Sequence, residues 1–373
     1  MRTTLNAYLV LILIFCEVGF SQSKKQKLIS VENFSAAFFK ANPGAEKLVD
    51  IKISSIDPEL VEIWLSNLDY DFSSLKKSPF RILINVSHSG NIKDFSAIAN
   101  IDLFSLSLWD YQSIDLKPLQ KIMPSLHNLS IGSKQLQSLD GIEHFSELQS
   151  LYLTTPSLCE ISKLNETKVK SLFISSKQTI DISSLPSTIS KFEARYCQLK
   201  NIEALSNFSL LEINLMAVKI KATHLPPLPH LQKLRLFNST LSSLENLEKS
   251  PLQELEIVQA DIKDISPLKQ MKTLKSVSLC YTFVNSLNSL SGMQLDTLSL
   301  TTNGFNMEEL VNQLATIPVS KSLYIGLSEN VGISQLDLVR LKQYDKLHLF
   351  PAAVCSNGKI KRQIQPGSEK AAK

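Results

Sequence analysis

The sequence predicts an α/β solenoid, in which short repeats stack side by side and give one strand each to a curved parallel sheet. The first observation is a sequence pattern that recurs every 20 to 22 residues between Leu126 and Leu300: an apolar residue, two residues of any type, an apolar residue, one residue of any type, and an apolar residue. The second is a further apolar pair after each unit, such as Leu136 and Leu139. The third is the composition, because 43% hydrophobic and 20% charged residues suit a packed core and exclude a disordered chain.

Each unit is expected to form one short strand, because its second half alternates and turns its apolar side chains to one face. The regular units begin at Leu126, Leu148, Val169, Ile189, Leu210, Leu231, Leu252, Leu274 and Leu295. Looser copies occupy Leu60–Leu65 and Leu103–Leu108 upstream, and begin near Leu323 and Leu347 downstream. Together these units predict about 14 strands, stacked about 4.8 Å apart.

The segments that lead from one strand to the next are too short for full helices, so we expect short 3₁₀ or irregular turns on the convex side. Two longer copies differ, because Met307–Ile317 and Ser334–Tyr344 read as α-helices, with Ser334 as a cap of the second. The predicted helices of the repeat region therefore lie toward its C-terminus.

A stack of repeats needs a cover at its ends. Near the N-terminus, Val31, Phe34 and Phe38 recur at spacings of three and four, which predicts an amphipathic helix over Ser30–Lys40. A capping strand is then expected over the apolar residues Leu48, Ile51 and Ile53. We therefore interpret residues 23–59 as an N-terminal cap and residues 60–350 as the repeat domain.

The first 22 residues resemble an export signal, since Arg2 gives a positive start and Leu9–Phe15 gives a short apolar run. That run is too short to cross a bilayer, and no other run of about 20 apolar residues predicts a transmembrane span. Cys16 leaves lipid anchoring open. The export signal predicts a secreted, periplasmic or cell-surface protein. A basic, disordered tail is expected over residues 351–373.

The distribution of charge and of reactive residues argues against several functions. The net charge of +4 comes from the flanks, so the repeats lack the clustered Lys and Arg of a nucleic-acid surface. The cysteines after the leader (Cys159, Cys197, Cys280 and Cys355) are scattered and are interpreted as small buried hydrophobes rather than metal ligands. Histidines and acidic residues also lack metal-binding or catalytic spacing, so we expect no cofactor and no enzyme.

Two segments carry a resemblance to a known family. Ile262–Leu274 and Leu139–Leu148 resemble leucine-rich repeats of the internalin-like bacterial kind, and the resemblance extends over about Leu60–Phe350. It implies a curved horseshoe whose concave parallel sheet binds protein partners.

The chain departs from this family at the ninth position of each repeat, where the family usually has an Asn that bonds neighbouring loops. Asn303 is the single match. The other ninth positions hold Lys134, Pro156, Lys177, Cys197, Val218, Ser239, Ala260 and Thr282. We therefore expect the backbone groups of these loops to find other hydrogen-bond partners.

The side chains between the buried strand positions must project from the concave face. They include aromatic residues, Met and Arg, the types enriched in protein interfaces. The predicted partner-binding residues are Trp64, Trp109, Tyr152, Phe173, Arg195, Tyr196, Met216, Arg235 and Phe237. We expect a central hot spot at Arg195, Arg235 and Phe237, whereas the alternative is that these aromatic residues serve cross-strand packing alone.

A stripe of mixed charge crosses the same face and is interpreted as solvated ion pairs. Its members are Lys191, Glu193, Glu212, Lys233, Glu254 and Glu256. From Leu274 onward the face carries mainly Ser and Thr, so we expect binding to concentrate between Trp64 and Phe237.

Three functions remain open from the sequence. The first is a non-enzymatic protein that binds a protein partner in its concave sheet. The second is a structural scaffold of the cell envelope without a dedicated ligand. The third is weak glycan binding, which rests on the exposed tryptophans.

Overall fold

The computed structural model is a solenoid built on one long, mostly parallel sheet. It describes residues 22–351 except 55–56, 58, 77, 79, 88–94, 99–100, 113, 121–125, 302–304 and 328–334. The predicted leader and tail therefore lie outside the described residues, apart from Gln22 and Pro351. Within these ranges the main sheet has fifteen strands, and its hydrogen-bonded order follows the order of the chain.

The first strand of the main sheet, β1 (Asp50–Ile53), is antiparallel to its neighbour β2, and all later neighbours are parallel. The strands that follow β1 in the sheet are β2 (Leu60–Leu65), β3 (Arg81–Ser87), β4 (Leu103–Tyr111), β5 (Asn128–Ser133), β6 (Ser150–Thr154), β7 (Ser171–Ser175), β9 (Lys191–Arg195), β11 (Glu212–Met216), β13 (Lys233–Phe237), β14 (Glu254–Val258), β15 (Ser276–Cys280), β16 (Leu295–Thr301), β17 (Val319–Leu327) and β18 (Leu347–Pro351). The predicted solenoid with a concave parallel sheet is confirmed.

A second, smaller parallel sheet lies behind the middle of the main one. Its strands, in the order of the sheet, are β12 (Lys219–Ile220), β10 (Gln198–Lys200) and β8 (Thr179–Asp181). Each of them comes a few residues after a strand of the main sheet, so it belongs to the return segment of the same repeat. The sequence does not predict this sheet, because strands of two or three residues leave no periodic pattern.

The core is a continuous apolar spine between the main sheet and the return segments. In-register residues of successive strands fill it, as in the series Ile213, Leu234 and Leu255, which are at most 2% exposed. Apolar residues of the return segments, such as Leu244 and Ile265, close it from the other side. Burial of each such side chain contributes on the order of 1.5–3 kcal/mol, so cohesion is spread over every repeat.

The helices and turns agree with the expected types but differ in their bounds. The α-helices are α1 (Gln22–Ala41), α2 (Lys117–Gln120), α3 (Met307–Leu314) and α4 (Gln335–Leu341). The 3₁₀ turns of the return segments are Ser73–Leu75, Ser96–Ile98, Ile142–His144, Ser162–Glu166, Ile182–Ser184, Ile202–Asn207, Ser266–Gln270 and Asn288–Leu290, and a further one follows α1 at Ala45–Lys47. The N-cap of α3 is Asn306, whose Oδ1 accepts hydrogen bonds from the backbone of Glu308 and Glu309. The expected cap Ser334 lies outside the described residues.

The N-terminal end of the spine is covered by α1 and β1. Val31, Phe34 and Phe38 are buried, and the Phe38 ring lies 5.8 Å from the ring of Phe72. The helix extends further toward the N-terminus than the predicted Ser30–Lys40. Ile51 and Ile53 belong to the expected strand and pack against the core, whereas Leu48 is 65% exposed and precedes it.

Many return segments begin with a polar side chain that caps the following turn. The carboxylate of Asp264 accepts a hydrogen bond of 2.8 Å from the backbone N–H of Ser266, and Asp115 accepts one of 3.0 Å from that of Lys117. Asp181 does the same for Ser183 at 3.0 Å. These caps satisfy N–H groups that a short turn leaves without a backbone partner.

The bend that follows each strand takes two forms. In five consecutive repeats the eighth residue has a left-handed backbone; these residues are Tyr196, Ala217, Asn238, Gln259 and Tyr281, with φ between 47° and 59°. Each donates its N–H to the carbonyl group at the end of the next strand, as in the 2.7 Å bond from Ala217 to Phe237. The ninth residue then turns inward and is buried, as at Cys197 and Val218.

The repeats of β5, β6 and β7 lack this left-handed residue and bury the eighth residue instead, at Ser133, Thr155 and Ser176. The ninth residues Lys134 and Lys177 of these repeats are exposed. The Oγ of Ser176 donates a 2.7 Å hydrogen bond to the carbonyl of Leu158, which replaces part of the missing Asn ladder.

The cysteines divide into two groups. Cys197 and Cys280 are buried as predicted, but Cys159 is exposed, so its interpretation as a buried hydrophobe is wrong. The reason is its place on the return segment, where its Sγ faces the carbonyl of Gln137 at 3.6 Å. Cys355 lies outside the described residues.

Candidate functional site

The predicted binding residues lie along the concave face of the main sheet. Trp64, Tyr152, Phe173 and Arg235 lie in one register column of the sheet, and the in-register pairing joins Tyr152 directly to Phe173. Arg195, Met216 and Phe237 are the last residues of their strands, and Trp109 lies two residues before the end of β4. Tyr196 lies one residue beyond β9, on the bend, and is 59% exposed.

Trp109 and Tyr152 contact each other across an intervening strand. Their ring centroids are 5.7 Å apart with an interplanar angle of 64°, although β5 lies between β4 and β6. Gly132 on β5 makes this possible, because a β-carbon there would be only 2.5 Å from the Trp109 ring. A glycine inside a strand often marks such a close approach.

The contacts continue from Tyr152 to the middle of the sheet. The rings of Tyr152 and Phe173 stack with centroids 3.9 Å apart and an interplanar angle of 2°. The Arg195 guanidinium lies 5.0 Å from the Phe173 ring centroid, and its Nε donates a 2.7 Å hydrogen bond to Glu193. We call Trp109, Tyr152, Phe173 and Arg195 the aromatic row.

The stacked rings of the aromatic row stand upright on the sheet. Tyr152 and Phe173 are in-register neighbours, so the line between their centroids follows the direction from strand to strand. The ring faces therefore cover each other, and Phe173 is only 9% exposed. What faces solvent is the edges of the rings, with the more exposed Tyr152 at 39%.

Next to the aromatic row, β9 to β14 carry a lattice of ion pairs. Arg235 lies 3.6 Å from Glu212, 3.6 Å from Glu254 and 3.4 Å from Glu256. Two lysines complete it, since Lys191 is 3.6 Å from Glu212 and Lys233 is 2.8 Å from Glu254. The four carboxylates and four cations, including the Glu193–Arg195 pair at 2.6 Å, balance in charge. The predicted ion pairs of this stripe are confirmed.

Neighbours hold both central arginines in place. Burial raises the pKa of Glu256, and the positive charge of Arg235 partly offsets that rise. Asn214 lies in register between Glu193 and Arg235, and its Oδ1 is buried without a hydrogen-bond partner. Because Arg195 and Arg235 already have carboxylate partners, they are poor candidates for the main attachment point of an anionic ligand.

An apolar strip runs beside the lattice, at the ends of the strands. Met216, Phe237 and Val258 pair in register on β11, β13 and β14, and each is half-buried. Met216 and Phe237 were predicted from the sequence but Val258 was not, because Val is not among the residue types enriched in interfaces. We call these three residues the apolar strip.

Trp64 is separate from the aromatic row. Trp64 is in the same register column as Tyr152, but Asn85 and Ser107 are among the residues that lie between them, and Asn85 is buried. Trp64 is 43% exposed, donates a 3.3 Å hydrogen bond from Nε1 to Glu62, and has the Lys52 ammonium 5.0 Å from its ring centroid. The structure therefore does not bring all predicted residues into one patch.

Neither a metal site nor an activated nucleophile is found in the part of the chain that the structure describes. No group of three or more His, Cys, Asp or Glu residues among those residues could hold a metal ion. Burial raises the pKa of the Cys197 thiol to about 11, which is the opposite of what a nucleophilic thiolate needs. No helix among the described residues is long and apolar enough to cross a membrane.

The stacked strands, the short return segments and the concave face define the class: the chain has the architecture of a leucine-rich-repeat solenoid. It is similar to an internalin of Listeria monocytogenes, with 19% identity, a TM-score of 0.47, and coverage of 74% of this chain and 76% of that one. A plant peptide hormone receptor in complex with its peptide gives 16% identity and a TM-score of 0.49, over 73% of this chain and 47% of the receptor.

A second Listeria internalin gives 20% identity and a TM-score of 0.32, over 58% of this chain and 77% of that one. No protein-family model matches the sequence, and no curated protein matches it.

Proposed function

We propose that this chain is a non-enzymatic, secreted or surface-exposed binding protein that holds a protein partner against its concave sheet. The single observation that carries the proposal is the apolar strip lying beside a preorganised aromatic row and a charge-balanced lattice. Half-buried apolar side chains next to fixed polar groups are the composition of protein interface cores.

The apolar strip, rather than the arginines, is the proposed source of affinity. Burying Met216, Phe237 and Val258 under a partner removes apolar surface from water and breaks no existing contact. Using Arg235 would require a partner to compete with three carboxylates that lie within 3.6 Å of it. The lattice then serves orientation, since a partner with the wrong charges would leave buried groups unpaired.

Affinity capture tests this proposal. The mature chain is immobilised, and proteins retained from the culture medium and envelope of the producing cell are quantified by mass spectrometry. We expect one protein to be retained by the wild type and reduced at least about tenfold by Met216→Ala with Phe237→Ala, whereas Arg235→Ala should reduce it less. Thermal unfolding of each variant checks that the fold is intact.

A matched control comes from the polar end of the same face. Ser276 and Thr297 are in-register neighbours on β15 and β16, and both are half-buried. The variant with Ser276→Ala and Thr297→Ala should retain the partner as the wild type does. If all variants retain the same proteins in the same amounts, the concave face is not the binding surface and the envelope scaffold becomes the better interpretation.

The geometry of the aromatic row favours a protein over a glycan. Sugar rings bind aromatic side chains by covering an exposed ring face, but the facing surfaces of Tyr152 and Phe173 cover each other. Trp64 retains exposed surface, with Lys52 above its ring, and it stands alone. A glycan-binding protein would lose its ligand on Trp64→Ala and keep it on the Met216 and Phe237 double replacement, which separates the two functions.

A further inference from the structure

A shallow cleft of about 320 Å³ lies outside the concave face, between two neighbouring repeats just before β15 and β16. Its polar lining consists of hydrogen-bond donors: Lys269, Lys272, Lys275, Ser289, Ser291 and Gln294. None of the residues that line it is acidic. Three ammonium groups, two hydroxyls and one amide around one depression form a donor set suited to oxyanions.

The lysines of this cleft differ from those of the concave face. Lys191 and Lys233 are each paired with a carboxylate, whereas none of the described carboxylates lies within 4 Å of Lys269, Lys272 or Lys275. The recorded bond of the Lys272 ammonium is to the carbonyl of Lys269, at 3.3 Å. The cleft therefore carries a local positive charge that the protein leaves largely uncompensated.

The acidic residue next to the cleft in the chain is already engaged. Asp296 accepts a 2.9 Å bond from Lys321 and a 3.0 Å bond from Ser320, and these two contacts hold its pKa below the ordinary value. Lys275 also acts on Asp296 electrostatically, as a smaller effect. Because Asp296 has its own cation, it does not neutralise the three lysines of the cleft.

The backbone that forms the cleft is held by hydrogen bonds to other repeats. The N–H of Gly292 donates to Thr316 at 2.9 Å, and that of Lys275 donates to Gln253 at 2.9 Å. An added β-carbon at Gly292 would meet no atom within 4 Å, so the space above this residue is open. The cleft is thus a fixed depression into which three flexible cationic side chains can reach.

We propose that this cleft binds a phosphate or sulfate group of an anionic ligand. The ammonium groups of Lys269, Lys272 and Lys275 supply the charge, and the hydroxyls of Ser289 and Ser291 supply directed hydrogen bonds. The site lies on a different surface from the apolar strip, so its occupancy does not depend on the proposed protein partner.

Calorimetric titration of the whole chain with inorganic pyrophosphate at low ionic strength tests the site. We expect saturable binding that weakens as sodium chloride is added. The variant in which Lys269, Lys272 and Lys275 are all replaced by Gln should bind at least about tenfold more weakly. The matched control replaces Lys134, Lys177 and Lys221, which are also exposed, by Gln and changes the net charge equally.

The control variant should bind pyrophosphate within about twofold of the wild type. Equal weakening in both triple variants would mean that net charge alone attracts the anion, and it would overturn the site. Absence of saturable binding by the wild type would overturn it as well.

Sedimentation with phosphatidylglycerol vesicles then separates two sources of the phosphate group. If only the variant of the cleft lysines loses the vesicles, the ligand group is a lipid headgroup; if pyrophosphate binds at the site and vesicles do not, it belongs to a soluble ligand. Vesicle binding that both variants lose equally counts against the cleft.

Discussion

The ring of Trp109 lies on the side of Gly132 where a side chain would stand, so closely that a β-carbon there would be 2.5 Å from Trp109 Cε3. Gly132→Ala should therefore push the indole away from Tyr152 and destabilise the fold by about 1–3 kcal/mol, as overpacking does elsewhere. Near-ultraviolet circular dichroism and denaturant unfolding would record both effects. In a Trp109→Ala background the same replacement should cost much less, and an equal cost in both backgrounds would contradict the contact.

Asp181 should make stability depend on pH at the acid end. Desolvation opposes ionisation, but hydrogen bonds from Ser183, Asn201 and Lys200 outweigh it and hold the pKa of Asp181 well below its usual range. A carboxylate with a depressed folded-state pKa stabilises the protein fully above about pH 4 and loses that contribution as the pH falls toward the folded pKa.

We therefore expect Asp181→Asn to lower the free energy of unfolding by about 1 kcal/mol at pH 7, and the difference from wild type to shrink below about pH 4. Urea unfolding at pH 7, 5 and 3 measures it. The exposed Asp261, replaced by Asn, serves as the control and should show little effect at any pH. A difference for Asp181→Asn that stays constant with pH would contradict the role of its charge.

The left-handed backbone of Ala217 offers a test with a matched control. Its φ is 52°, which costs an L-residue roughly 1–2 kcal/mol and costs glycine little. Ala217→Gly should therefore leave the melting temperature unchanged or raise it. Ala204 lies in the 3₁₀ turn Ile202–Asn207 and has no positive φ, so Ala204→Gly should lower it. Equal losses at the two positions would show that strain at Ala217 is negligible.

The apolar spine predicts a sharp contrast between two leucines of neighbouring repeats. Leu234 is fully buried in the spine, and Leu211, just before β11, is 38% exposed. Leu234→Ala should cost about 2–5 kcal/mol through lost burial and a cavity, and Leu211→Ala less than about 1 kcal/mol. Comparable losses in denaturant titrations would mean that the spine does not carry the cohesion assigned to it.

The main sheet could largely be predicted from the sequence, because apolar residues alternate within each strand and the strands recur at a regular spacing. It missed β3, whose inward residues Ile82, Ile84 and Val86 alternate without the longer Leu spacing of the other repeats. The residue that is buried after each strand could not be predicted, because it depends on whether the eighth residue adopts a left-handed backbone.

The candidate site was predicted as a set of residues but not as an arrangement. The strand pattern places Trp109 and Tyr152 on one face, yet their contact depends on Gly132, which presents no side chain to a pattern search. The stripe of Lys and Glu could be interpreted as ion pairs from alternation alone. That Arg235 has three carboxylates around it follows from the register of three strands, which no single repeat contains.

The small sheet of β8, β10 and β12 lies in the repeats whose concave strands are β7, β9 and β11. Phe173, Arg195 and Met216 therefore stand on a stretch where each repeat is hydrogen-bonded to its neighbours through a second sheet as well as through the main one. Because hydrogen bonds of two sheets hold these repeats together, we expect their amide protons to exchange more slowly than those of the other repeats. A surface that is already rigid before contact loses little conformational entropy when a partner arrives.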